Sequence, residues 1–254
     1  MLDNKTILIA GAGGLIGRTV VKACLAQNAM VIASDLDQNK LEHLLLQDGI
    51  DIHNDKLQLA TLDLQQADSI SEILSQYQPD GAVNCSYPRN KDYGKHFFEV
   101  SLQSFNDNLS LNLGSAFLFM QQCAAYFKQQ PREFSLVNLS SVYGVVAPRF
   151  DIYNNTAMTM PVEYAAIKSA LIHLSKYAAS YIADSRFRVN LVSPGGISDN
   201  QPEPFLQAYR TKTLGKGMLD AADITGAIMF LLSDHARFTN GQNIVVDDGF
   251  TLCG

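Results

Sequence analysis

A chain of 254 residues, 47% hydrophobic with 17 glycines and 8 prolines, can bury a large core and fits one α/β domain. Its 19 basic residues against 25 acidic ones, a net charge of −6, lack the excess of a phosphate-backbone binder, so no nucleic-acid partner is expected. No apolar run approaches the ~20 residues that span a bilayer, and Met1 to Thr6 leads into a strand with no signal-peptide core, so a cytoplasmic protein without a membrane partner is expected.

The first predicted strand, Thr6–Ala10, runs straight into Gly11-Ala-Gly-Gly-Leu-Ile-Gly17 and a helical pattern from Leu15 to about Ala26. Such a turn lets backbone approach a pyrophosphate, which the amides and positive end of the helix hold; the candidate contacts are Gly11, Gly13, Gly14, Leu15, Ile16 and Gly17. A bare glycine turn is weak evidence. Its place directly after a buried strand is what points to a dinucleotide site. The second strand, Met30–Ser34, ends in Asp35, about twenty residues on, where a carboxylate accepts hydrogen bonds from an adenosine ribose diol. A 2′-phosphate would meet that charge, and neither Ala12 nor Leu36 offers a compensating cation, so NAD is expected over NADP. Asp37 rather than Asp35 stands where it caps the next helix.

Helices near Asn39–Gln47 and Ala67–Tyr77 alternate with strands Leu57–Thr61 and Gly81–Asn84, with the turn Asp63-Leu64 after the first of these strands. A long apolar-periodic segment, Leu102 to about Phe127, precedes the strand Phe134–Leu139, which ends in Ser140-Ser141. A second, Met160 to about Ile182, carries Tyr164 and Lys168 and leads to the strand Phe187–Val192 and Ser193-Pro-Gly-Gly196. A helix from about Ala221 to Leu232 and the strand Asn243–Asp247 follow. Seven strands alternating with helices imply a parallel sheet with both faces covered, whose ligands sit beyond the carboxyl ends of the strands. Asp35, Asn84, Ser141 and Pro194 all fall at such ends. Both long segments are too apolar for a single buried stripe, as Phe117-Leu-Phe-Met120 and Tyr177-Ala-Ala-Ser-Tyr-Ile182 illustrate, so each is expected to be covered on more than one side.

Tyr164 and Lys168, four apart on a helix, share one face. A free phenol titrates near ~10 and a neighbouring cation favours its ionised form, so the pair suggests an acid/base working nearer neutrality; the bland alternative is a half-buried ring beside a solvated lysine. Around the same sheet edge the loop after the fourth strand supplies Tyr87, Arg89, Lys91, Lys95 and His96, and the stretch before Tyr164 supplies Arg149, Tyr153, Asn154 and Asn155. Cations with amides and hydroxyls opposite suggest an anionic, hydroxyl-rich ligand such as a phosphorylated or nucleotide-linked sugar, against the alternative of a solvated loop. Cys24, Cys85, Cys123 and Cys253 follow no metal or disulfide spacing and read as reduced thiols, and the five histidines show no metal spacing, so no metal is expected.

Taken together, Gly11 to Gly17, Asp35, Asp63-Leu64, Asn84, Asn112, Ser140-Ser141, Tyr164-xxx-Lys168, Pro194-Gly195 and Gly241-Gln-Asn-Ile-Val-Val-Asp247 resemble the short-chain dehydrogenase/reductase family in order and approximate spacing. The resemblance spans nearly the whole chain and implies an α/β fold: one Rossmann-like domain over residues 1–254, with a seven-stranded parallel sheet and helices on both faces. It implies an oxidoreductase that moves a hydride between a nicotinamide and an alcohol or carbonyl carbon. Tyr164 would be the acid/base, and Lys168 would lower its pKa and hold the nicotinamide ribose. Ser141 would hydrogen-bond the reacting oxygen and Asn112 would anchor a relay water. Leu36, Asp63, Leu64, Asn84, Pro194, Gly195 and Ile197 would join the glycine turn and Asp35 around the cofactor, and a homodimer or homotetramer is implied. Three departures stand out. Leu15 occupies a position where the family commonly has glycine, a spacing that resembles the family's extended branch. Asn84-Cys-Ser-Tyr-Pro-Arg-Asn90 replaces Asn-Asn-Ala-Gly, and the stretch between Ser141 and Tyr164 is longer than usual. Residues 86–98, 145–162 and 196–218 are therefore the expected substrate loops. Their flavour resembles a bacterial branch of flagellin or surface-polysaccharide modification, which implies a sugar derivative as substrate. A different small alcohol or ketone, or a non-catalytic NAD-binding scaffold, are the alternatives, since fold alone does not fix function.

Overall fold

Seven strands form one sheet in the computed structural model, which describes residues 1–130 and 132–252. They are β1 (Thr6–Ala10), β2 (Met30–Asp35), β3 (Leu57–Thr61), β4 (Gly81–Asn84), β5 (Phe134–Leu139), β6 (Phe187–Pro194) and β7 (Asn243–Val246). All neighbours pair in parallel, in the order β3-β2-β1-β4-β5-β6-β7. The strand order reverses between β1 and β4, which opens a crevice above their carboxyl ends. The helices are α1 (Leu15–Ala26), α2 (Gln38–Gln47), α3 (Ala67–Tyr77), α4 (Leu102–Asn108), α5 (Ser115–Gln129), α6 (Val162–Ile182), α7 (Glu203–Arg210) and α8 (Thr225–Leu232). Asp37 caps α2 as its position suggests, accepting from Lys40 N at 3.0 Å.

The core divides by the two-residue period of the strands. Ile7 and Ile9 of β1 face α1 and α8, joining Val20, Cys24, Ile228 and Leu231, while Leu8 and Ala10 face α3 and α5, joining Ile70, Leu74, Phe119 and Cys123. β5 and β6 are buried at every position, as strands covered on both faces must be, and their polar side chains Ser135, Asn138, Arg188, Asn190 and Ser193 are hydrogen-bonded. Two glycines of the first turn are sterically required. Gly11 has φ +75°, and a Cβ there would stand 2.7 Å from the backbone of Ser86; a Cβ on Gly17 would stand 2.2 Å from Gly11 O.

Three features depart from the expected elements. The long segment from Leu102 is not one α-helix, because Leu109–Gly114 between α4 and α5 is π-helical, with Asn112 buried inside it. The expected substrate loop 196–218 contains α7, and the stretch before Tyr164 contains a 3₁₀ turn, Phe150–Tyr153. Tyr143, Tyr153, Phe205, Tyr209 and Phe250 pack there into a separate small core. Cys24, Cys85 and Cys123 are free thiols, whereas Cys253 lies outside the described residues. No described helix is long and apolar enough to cross a membrane.

Candidate active site

One cleft of about 980 Å³ lies over the carboxyl ends of the strands. At one end it is floored by Gly11, Gly13, Gly14, Leu15 and Ile16, with Asp35, Leu36, Asp63 and Leu64 beside them; Pro194, Gly195 and Ile197 line it further along. Gly14 caps the start of α1 with no side chain to offer, and no acidic residue stands in the first turn, so the leading amides of α1 are free to take an anion. Asp35 is held by two backbone amides: Gly13 N donates to Oδ2 at 2.9 Å and Leu36 N to Oδ1 at 2.8 Å. Open amides followed by a fixed carboxylate match a pyrophosphate followed by a ribose diol, and Gly11 leaves the room a Cβ would fill, so the residues present fit an adenine dinucleotide. Gly17 and Asn84 shape this end without lining it. Gly17 lets α1 pack on the turn, and the Asn84 Oδ1 accepts from Ser86 N and Oγ at 3.1 and 2.6 Å.

At the other end, two elements deliver Ser141, Tyr164 and Lys168. Ser141 follows β5, and Tyr164 and Lys168 occupy the first turns of α6. A hydrogen bond from the Ser141 hydroxyl opposes the burial that pushes the Tyr164 phenol up. The expected lowering of that phenol by Lys168 is not what this arrangement gives. The Lys168 ammonium donates to Leu139 O at 2.8 Å, sits 5.6 Å from the Tyr164 ring centre, and is itself pushed down to about 8 by burial. For Tyr164 desolvation outweighs the Ser141 hydrogen bond, and for Lys168 it outweighs the attraction of Cys85. Asn112 is buried in the π-helical stretch and is not part of the cleft lining.

Tyr87, Arg89 and Tyr153, expected at the substrate end, line the walls together with residues the sequence did not point to, Tyr93, Tyr143, Phe205 and Tyr209 among them. Tyr87 packs edge-on against Tyr164 at 5.5 Å and also lies 5.3 Å below the Lys168 ammonium; its hydroxyl is hydrogen-bonded to that of Tyr93. Arg89 rests over the far side of this group, 5.8 Å from the Tyr87 ring. Tyr143, Tyr209, Phe205, Met158, Met160 and Met218 close the opposite side together with Tyr153. Lys40 on α2 lines the adenosine end, a cation missed by looking only beside Asp35.

Two expectations are corrected. Arg149 does not face the cleft: its guanidinium donates to Phe250 O at 2.7 Å and stacks over the Phe250 ring at 4.7 Å. Lys95 is paired with Asp92 at 2.9 Å, and Lys91 and His96 do not line the cleft. The expected basic group therefore reduces to Arg89, because loop geometry turns the other cations outward or ties them to a partner.

Residues 11–251 match the family model described as enoyl-(acyl carrier protein) reductase. The chain is 40% identical to post-translational flagellin modification protein A of Campylobacter coli, over 99% of this chain and 100% of that protein. It is 27% identical to a 2,5-dichloro-2,5-cyclohexadiene-1,4-diol dehydrogenase of Sphingobium indicum, over 98% of each chain. A crystal structure of a short chain dehydrogenase from Leptospira borgpetersenii with bound NAD⁺ is 31% identical and superposes with a TM-score of 0.84, over 98% of this chain and 94% of that one. With the sheet order, the cleft and the family motifs all in agreement, the chain belongs to the short-chain dehydrogenase/reductase family, whose members are oxidoreductases that bind NAD(P).

Proposed function

We propose that this protein is an NAD-dependent oxidoreductase that interconverts a secondary alcohol and a ketone on a sugar derivative used in flagellin or surface-glycan modification. The observation that carries the chemistry is the meeting of Ser141, Tyr164 and Lys168 in one cleft with a nucleotide-shaped end. When bound, the nicotinamide accepts a hydride from the alcohol carbon or returns it to the carbonyl carbon. Tyr164 takes the hydroxyl proton in oxidation and supplies it to the carbonyl oxygen in reduction. Ser141 holds that oxygen, Lys168 binds the nicotinamide ribose, and Asn112 anchors a water through which the proton reaches solvent. Burial keeps the Tyr164 phenol protonated, which suits it as the donor in the reductive direction.

Three observations support a sugar. Six of the 10 tyrosines, Tyr87, Tyr93, Tyr143, Tyr153, Tyr164 and Tyr209, line the cleft, so it presents both ring faces and phenol hydroxyls, which suit the apolar and polar faces of a pyranose. Arg89, for which no ion pair is found among the described residues, stands at the mouth and suits a phosphate or carboxylate. The 40% identical relative bears the name of a flagellin modification protein.

Incubation with NAD⁺ and a panel of sugar phosphates, nucleotide sugars and simple alcohols tests this by the absorbance of NADH. Turnover on a sugar, reduced roughly 10²–10⁴-fold by Tyr164→Phe with NADH affinity kept, is the expected result. A Tyr164→Phe enzyme as fast as the parent overturns the acid/base assignment, and turnover confined to non-sugar alcohols overturns the substrate class.

A further inference from the structure

Arg149 and Phe250 stand immediately behind the substrate wall. Phe250 is fully buried; its ring stacks on Tyr209 at 4.6 Å with a 12° tilt and meets Tyr143 edge-on at 5.8 Å, and both tyrosines line the cleft. Arg149 covers the outer side of the same ring and donates to Phe250 O. The turn that carries Phe250 is itself rigid, because Asp247 accepts from Gly249 N at 3.0 Å and Thr251 N at 2.7 Å. This turn also holds the segment beyond α7, where Leu214 N donates to Asp248 O at 2.8 Å, and Gly215 N and Gly217 N to Asp248 Oδ2 at 3.0 Å; Tyr209 itself ties α7 back to the strand end, its hydroxyl accepting from Gly196 N at 2.6 Å. Lys212 after α7 pairs with Asp151 in the stretch that holds Arg149, at 2.7 Å.

We propose that Arg149 and Phe250 are positioning residues of the substrate pocket: Phe250 is a strut between Tyr209 and Tyr143, Arg149 clamps it, and together they hold α7 over the cleft without touching substrate. The proposal rests on the reading of the cleft as a substrate site only for its kinetic arm. A flat, stacked ring with a guanidinium on its back restrains α7 in orientation as well as distance. The longer stretch before Tyr164 thereby gains a second use beyond lining the pocket, since it brings the clamp from 101 residues away in sequence.

The test combines hydrogen exchange of the α7 amides with kinetics for Phe250→Ala, Phe250→Leu, Arg149→Ala and Arg149→Lys. Phe250→Ala and Arg149→Ala are expected to speed exchange across Glu203–Arg210 while β1, β4 and β5 keep their protection. The Michaelis constant should rise roughly tenfold for charged and uncharged substrates alike, with kcat and NADH affinity within about threefold of the parent. Arg149→Lys, which keeps the donor and the charge but not the planar fork, and Phe250→Leu should recover part of each effect. Unchanged exchange in α7 overturns the strut. Exchange accelerated throughout the sheet with NADH binding lost reduces these residues to general stability, and a rise confined to charged substrates returns Arg149 to direct substrate contact. If no alcohol turns over, the oxidoreductase reading fails, while the exchange pattern still decides the strut.

Discussion

Asp35 cannot swing away from an incoming phosphate, because both of its oxygens are already tied to backbone amides. A 2′-phosphate would therefore face a fixed negative charge. Of the nearby cations, Arg18 is committed to Asp48 Oδ2 and Gly13 O, each at 2.6 Å, and Lys40 alone lines the cleft. NADH is expected to bind at least roughly tenfold more tightly than NADPH, a difference of about 1.4 kcal/mol, and Asp35→Ala should narrow the gap as Lys40 is left unopposed. Fluorescence titration of both cofactors decides this; equal affinities in the parent would remove Asp35 as the discriminator. Lys168 makes a second residue-scale prediction. Its folded pKa of about 8 lies below the ordinary value of 10.5, so the unfolded chain binds more protons between those two values and folding stability gains with rising pH across that window. Below about 8 the cost of burying the charged ammonium is fully present. The stability difference, parent minus Lys168→Met, should therefore rise from pH 8 towards 10.5. Subtraction removes the buried thiols and phenols, which lose stability in the alkaline range in both proteins. Urea denaturation at stepped pH measures it, and a flat difference would show that the lysine finds compensation in the fold.

At the scale of elements, strands and flanking helices were legible because their apolar spacing directly follows from which face they bury. β1, β3, β4 and β5 begin and end at the expected residues, and β6 only runs two residues further, through Pro194. The π-helical stretch Leu109–Gly114 was not legible, since one residue of slack leaves the apolar period almost unchanged. α7 was hidden for a related reason: eight residues opening with Glu203-Pro204 give too few turns to establish a period, and its partners Tyr153 and Phe250 come from distant segments. Ser141, Tyr164 and Lys168, the residues proposed to carry the chemistry, could be brought together from the sequence because motif spacing places them at one sheet edge, and all three line the cleft. Tyr87 could be named but not its contacts with Tyr164 and Lys168, which depend on how the 86–98 loop is fastened. Asn90 fastens it: its amide nitrogen donates to Ser104 Oγ at 3.2 Å, its carbonyl oxygen accepts from Asn108 at 3.2 Å, and its backbone N–H donates to Asn108 Oδ1 at 3.0 Å. Asn108 in turn donates to the buried Glu163 at 3.4 Å, one residue before Tyr164. Asn90→Ala leaves several of these partners unmatched and should cost about 1–3 kcal/mol in urea denaturation, with a larger loss in substrate affinity than in NADH affinity. No change in stability would mean that solvent replaces the lost bonds.

At the scale of the whole molecule, the expectation that the two long apolar segments are covered on more than one side is met on one side only within this chain. Phe119, Met120 and Cys123 of α5 and Leu171 of α6 reach the core, yet Phe117, Tyr177 and Tyr181 are 47%, 62% and 68% exposed on the same two helices. Tyr177 and Tyr181 stack at 5.9 Å with a 12° tilt, and the Lys128 ammonium lies over Tyr181 at 5.5 Å, so this surface is a flat aromatic face rather than scattered side chains. Leu102 at the start of α4 is likewise 75% exposed. A second copy related by a two-fold axis would lay the same aromatic face against itself, which is how a self-complementary patch is buried in a closed dimer. Light scattering at micromolar concentration should therefore give at least twice the 27.9 kDa of one chain. Tyr181→Glu combined with Phe117→Glu should shift the mass to a single chain, because two carboxylates would meet their own copies in a desolvated contact. The thermal midpoint of the parent should rise with protein concentration, and that of the double variant should not. A monomeric parent would leave these aromatic side chains solvent-facing and remove the dimer.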